Sequence, residues 1–98
     1  MGLFGSKKEE VMPKVSDVFS AELLQKIREI VGPKQSGRAY GKYGDMAETL
    51  LKAAEDPEKE CSKREWTGII YAAGGFTKLE PQLAPMLKQA IEKYRSLK

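Results

Sequence analysis

The sequence predicts an all-α fold: a compact bundle of about four short helices, arranged as two helical hairpins, with a flexible N-terminal arm. Leu, Ile, Ala, Glu, Lys and Gln dominate the patterned stretches, whereas Val and Thr are sparse, and this bias favours helix over strand. Apolar residues recur at steps of three and four in four separate stretches, which is the period of a helix with one buried face. Alternation of strand period does not extend beyond a few residues anywhere.

The chain of 98 residues corresponds to one domain. Residues 1–15 contain two glycines, a Lys-Lys-Glu-Glu block and a proline, and they show no period. We therefore expect a flexible arm over 1–15 and a single helical domain over 16–98.

The first predicted helix follows the arm. Ser20 can cap its first amides, and Phe19 can pack on Leu24 as a hydrophobic staple. Gly32 is expected to end the helix in the left-handed conformation, because Pro33 cannot continue it. The apolar stripe of this helix consists of Phe19, Leu23, Leu24, Ile27, Ile30 and Val31.

Residues 33–44 leave two interpretations open. Their three glycines favour a loop, since each costs about 1 kcal/mol inside a helix relative to alanine. A stripe of helical period instead favours a second helix that starts near Ser36; it consists of Tyr40, Tyr43, Ala47, Leu50, Leu51 and Ala54. In either case we expect helix from Asp45, which can form a capping box with Glu48, to about Glu55.

A further capping box, Ser62 with Glu65, predicts the start of the third helix, with Cys61 placed to staple onto Trp66. The glycine pair at 74–75 is expected to end this helix. Its buried face is predicted to consist of Trp66, Ile69, Ile70 and Ala73.

The fourth helix has the clearest period in the chain. Thr77 and Glu80 give another capping-box signal, but Pro85 cannot lie in a regular helix interior. We therefore expect a turn around 78–84 and then a helix from Pro85 to about Leu97. Over all four helices the predicted core consists of Leu23, Leu24, Ile27, Ile30, Leu50, Leu51, Trp66, Ile69, Ile70, Leu87, Ile91 and Tyr94.

Residue types on which many catalytic and metal sites depend are missing. The chain has no histidine and one cysteine, Cys61, which excludes a tetrahedral zinc site and a histidine general base. We expect no enzyme activity, no cofactor and no metal, and we interpret Cys61 as an incidental thiol. A single cysteine cannot form an internal disulfide, and no apolar run approaches the ~20 residues that span a bilayer. A small soluble protein of the cytoplasm is the expectation.

One segment is both basic and aromatic. The net charge of +3 is too small to demand a nucleic-acid partner, but residues 34–43 contain no acidic side chain. Positive charge interleaved with aromatic rings is what single-stranded nucleic acid binding requires. The candidate binding surface consists of Lys34, Arg38, Tyr40, Lys42 and Tyr43. In the other interpretation the tyrosines belong to the core or rim of a helix and the lysines to its solvated side.

Three other features have two interpretations each. Trp66, the one tryptophan, is either a core anchor or an interface hot spot. The start of the chain fits the N-myristoylation pattern at Gly2, with Ser6 at the matching position, or is simply an arm rich in glycine. Residues 41–57 resemble the second helix of a tetratricopeptide repeat, but Pro57 comes two positions early and the first helix of that repeat is missing.

The expected function is a non-catalytic helical interaction module, an adaptor, regulator or assembly subunit that binds a protein partner or itself. The alternatives are a small nucleic-acid-binding protein that uses residues 34–43 and a peripheral membrane protein acylated at Gly2, the latter being the less expected.

Overall fold

The computed structural model describes residues 12–97 and is all-α, which confirms the predicted fold class. The helices are α1 (Val15–Val18), α2 (21–36), α3 (Gly44–Glu55), α4 (Lys63–Leu79) and α5 (Ala84–Leu97). Each of α2, α3 and α4 packs on the next helix along the chain, and α1 packs on α5. Within the described residues there is no strand, only an isolated antiparallel bridge between the residues at 14 and 60.

The core follows the predicted stripes closely. Four predicted core residues, Ile30, Leu51, Ile70 and Ile91, are only partly buried and pack on its edge, while the others are buried. The largest fully buried side chains are Trp66, Phe19, Phe76, Leu23, Ile27, Leu50, Leu83, Leu87, Val15 and Val31.

Most of the arm predicted over 1–15 lies outside the described residues, and so does Gly2, the predicted acylation position. Its last residues are packed. The Pro13 carbonyl accepts a hydrogen bond from Trp66 Nε1 at 2.8 Å, and Val15 is fully buried. The packed part of the chain therefore begins before residue 16.

The prediction that α2 ends at Gly32 was wrong. Gly32 is right-handed, with φ of −54°, and helical residues continue through the segment Gly32–Ser36. A π-helical stretch, Ile27–Val31, directly precedes this segment. A wider turn there reduces the conflict between the Pro33 ring and the carbonyl one turn earlier, and Pro33 has no amide to satisfy.

A Schellman motif ends α2 instead. The left-handed residue is Arg38, with φ of +58°. Its amide donates to the Gln35 carbonyl at 2.9 Å, and the amide of Ala39 donates to the Lys34 carbonyl at 2.8 Å. The choice left open for residues 36–44 is thereby resolved as a turn followed by a 3₁₀ segment, Gly41–Tyr43, that leads directly into α3.

The capping box predicted at the start of α3 was wrong as well. The N-cap is Tyr43, which makes no side-chain capping bond, and Asp45 lies inside the helix. The 3₁₀ turn before α3 satisfies a backbone amide that a side-chain cap would otherwise have to satisfy. The Tyr43 amide donates to the Tyr40 carbonyl at 2.9 Å.

The start of α4 is as predicted, and its end is not. Ser62 Oγ accepts from the Glu65 amide at 3.1 Å while the Glu65 carboxylate accepts from the Ser62 amide at 2.8 Å, which completes the capping box. The helix then continues through the glycine pair to Leu79. At Gly75 an added Cβ would collide with the side chain of Met46 on α3, so this glycine permits a close approach of two helices.

The capping box predicted at Thr77 and Glu80 was also wrong. Thr77 lies inside α4 and donates to the Gly74 carbonyl at 2.7 Å, while Glu80 is the C-cap. A 3₁₀ turn, Pro81–Leu83, then leads into α5, where Pro85 occupies the first turn. A missing amide costs little at that position, which agrees with the expected turn before Pro85.

Candidate functional site

The structure divides the five residues of the predicted binding surface. Lys34 Nζ and Tyr40 Oη both donate to Glu80 Oε2, each at 2.7 Å. The Tyr40 ring is 8% exposed and packs edge-on against Phe76, with ring centroids 4.9 Å apart. Tyr40 is thus a core residue, and the charge of Lys34 is paired within the fold.

Glu80 anchors this cluster and is itself 3% exposed. Burial alone would raise the pKa of Glu80, but hydrogen bonds from Lys34, Tyr40 and Gln82 outweigh it, and the pKa lies below its ordinary value. The pKa of Tyr40 is raised by burial, by its bond to Glu80 and by the negative charge there. The local pattern predicted a capping role for Glu80 and no link to Lys34 or Tyr40.

The rest of the predicted surface faces solvent. Arg38, Lys42 and Tyr43 are exposed, and Lys42 Nζ lies 5.4 Å from the centroid of the Tyr43 ring. Of the five predicted residues, only two cations and one partly exposed ring are therefore available on the surface to bind a partner.

Trp66 is a core anchor in this structure. It is fully buried, and its ring stacks on Tyr94 with centroids 4.7 Å apart. Its indole N–H is satisfied by the Pro13 carbonyl. Its position in the core leaves no exposed ring surface for a partner.

Cys61 lies at a groove of about 270 Å³ between α3 and α4. Burial raises the pKa of the Cys61 thiol, and the negative charge of Glu65 adds to this effect against the opposing charge of Lys59. The thiol donates to the Lys59 carbonyl, with 3.8 Å between the sulfur and the oxygen. A raised pKa disfavours the thiolate that nucleophilic chemistry needs.

The exposed side of α4 carries the feature that the sequence reasoning missed. Tyr71 is 72% exposed, more than any other large apolar side chain in the described part of the chain. From residue 66 to residue 77 this helix contains no charged side chain, although 32% of the chain is charged. Tyr71 falls opposite the predicted stripe of Trp66 and Ile69, and this position was the available signal.

Glycines flank Tyr71 at equal spacing along the chain. Gly68 precedes it by three residues and Gly74 follows it by three. Apart from its chain neighbours and the backbone of α4, a Cβ added at either glycine would meet no atom of residues 12–97 within 4 Å, so packing of the described chain does not require glycine there. Each glycine in a helix interior costs about 1 kcal/mol relative to alanine.

Comparison with known proteins adds no assignment: no family model matches the chain, and neither does any curated protein or solved structure. Within residues 12–97 no cluster of three or more acidic, cysteine or histidine side chains is arranged to hold a metal ion. None of the described helices combines the length and the apolar character needed to cross a bilayer.

Proposed function

We propose that this domain is a non-catalytic interaction module that binds a protein partner through the exposed side of α4. The α4 surface, as we call it, consists of Thr67, Gly68, Tyr71 and Gly74. The observation that carries the proposal is Tyr71, a large aromatic side chain exposed at the centre of an uncharged helical surface. Interface centres are depleted in charge, and tyrosine is enriched among the residues that contribute most to binding.

The two glycines support this proposal. They lower the stability of α4 without serving its packing, as the open space above both positions indicates. The absence of a side chain there would let the backbone of a partner approach closely on either side of Tyr71.

The nucleic-acid alternative has less support. Stacking and phosphate attraction would have to come from Arg38, Lys42 and Tyr43 alone, because Tyr40 and Lys34 are engaged by Glu80.

The test compares two tyrosine variants in affinity capture from cells of the native host, followed by mass spectrometry. We expect Tyr71→Ala to lose one or more proteins that the unaltered chain retains. Tyr43→Ala, which removes an exposed ring from another surface, is the matched control and should retain them.

Tyr71→Ala should keep the free energy of unfolding within about 0.5 kcal/mol of the unaltered chain, as exposed positions do. Tyr43 is only 39% exposed, so Tyr43→Ala is expected to lose more stability, and chemical denaturation checks that it is folded before capture. Identical capture by all three chains would contradict the proposal. So would a loss that Tyr43→Ala reproduces.

A further inference from the structure

The α4 surface has a positive charge at each end. Arg64 precedes Tyr71 by seven residues and Lys78 follows it by seven. Seven residues are close to two helical turns, so both cations lie on the same side as Tyr71, each about 10 Å from it along the axis. Both side chains are exposed.

Neither cation has an ion-pair partner among the described residues. Glu65, next to Arg64 along the chain, accepts from Lys59 Nζ at 2.9 Å and also caps the helix. The two charges at the ends of the surface are therefore available to a bound molecule.

This arrangement disfavours a second copy of the chain. In an antiparallel pair of α4 helices centred on Tyr71, Arg64 of each copy would lie beside Lys78 of the other. In a parallel pair each cation would lie beside its own equivalent. Like charges at close range are unfavourable in both orientations.

We propose that the α4 surface binds an amphipathic helix whose apolar side packs around Tyr71 and whose acidic side chains, two turns from its centre on either side, pair with Arg64 and Lys78. This inference rests on the proposed function and adds the chemistry of the partner. The uncharged centre supplies apolar contact, and the two cations supply selectivity for acidic ends.

Three synthetic helical peptides test the charge requirement. They share one Leu/Ala side and carry Glu, Gln or Lys at the two flanking positions, and their dissociation constants for the full chain are measured by fluorescence anisotropy. We expect the Glu peptide to bind about tenfold more tightly than the Lys peptide, with the Gln peptide between them. The preference should shrink as salt is added.

Variants of the chain test whether the preference for acidic peptides depends on the α4 surface and its two cations. Arg64→Glu combined with Lys78→Glu should reverse the order of the three peptides, and Tyr71→Ala should weaken all of them. Glu22→Gln, an exposed position on α2, is the control and should leave the order unchanged. Equal affinity for the three peptides, including no binding by any, overturns the inference.

Failure of this inference can be told from failure of the proposed function. If Tyr71→Ala loses a host partner while the peptides rank equally, the α4 surface binds protein but does not select acidic ends. If the unaltered chain is a dimer in sedimentation that Tyr71→Ala dissociates, the occupant is a second copy and the inference is overturned.

Discussion

At the scale of single residues, Glu80 shows how the fold holds a charge in its interior. Its carboxylate accepts from Lys34 and Tyr40, which belong to the end of α2 and the turn after it. The folded pKa of Glu80 lies below the value of an unfolded chain. Above the unfolded pKa the resulting stabilisation is fully present, and it is lost as the pH falls through the folded pKa.

We expect Glu80→Gln to lower the free energy of unfolding by about 1–3 kcal/mol at pH 7, because a charged acceptor of buried hydrogen bonds is lost. The difference from the unaltered chain should shrink as the pH falls below the ordinary carboxyl pKa. Urea denaturation over a pH series measures it, with Glu22→Gln as an exposed control. A difference that stays constant in acid would show that the charge of Glu80 is not responsible.

Trp66 is the residue on which the core depends most. Trp66→Ala is expected to lower the free energy of unfolding by about 3–5 kcal/mol, since it leaves a large cavity beside Tyr94 and an unpaired Pro13 carbonyl. Trp66→Phe keeps an aromatic ring in the core and should cost less. Chemical denaturation measures the free energy of unfolding of both variants. A decrease below about 1 kcal/mol for the alanine variant would be inconsistent with a buried Trp66.

At the scale of secondary-structure elements, α4 combines glycines of two kinds. Gly75 faces Met46 on α3, where an added Cβ would also lie 3.1 Å from the sulfur, whereas Gly68 and Gly74 face open space. We expect Gly68→Ala and Gly74→Ala each to raise the free energy of unfolding by about 0.5–1 kcal/mol. Gly75→Ala should gain less, because the Met46 side chain has to move.

The same substitutions separate fold from function. If the α4 surface binds protein, Gly68→Ala and Gly74→Ala should weaken partner capture while they stabilise the fold. Thermal denaturation and quantitative capture on the same samples measure both effects. If a stabilised variant captures its partner as well as the unaltered chain does, the glycines do not contribute to the interface.

Helix α2 illustrates the limit of local rules. A Gly-Pro pair usually ends a helix. Here a π-helical stretch precedes the pair, and the helix continues through it. Leu51 on α3 packs within ordinary contact of the position that a Cβ on Gly32 would occupy. Packing against α3 stabilises the last turn of α2, which sequence propensity disfavours.

At the scale of the whole molecule, the N-terminal segment of the described chain packs on α4 and α5. The segment at Pro13 bonds to Trp66 on α4, and Trp66 stacks on Tyr94 near the end of α5. Helix α1 packs on α5 as well. These contacts hold the N-terminal segment, α4 and α5 together, which explains why the packed region begins earlier than the sequence pattern suggests.

The sequence by itself determined the helical class, most of the core and the caps at Ser20 and Ser62, since these features depend on residues within a few positions of one another. Only the tertiary structure decided which of the basic and aromatic residues remain on the surface. Glu80 lies 46 residues from Lys34 and 40 from Tyr40, and no local pattern relates positions so far apart. Tyr71 lies opposite the stripe of Trp66 and Ile69, which is a local signal in the sequence, but only the packing of α3 and α5 on the other sides of α4 decided that no described helix covers its ring.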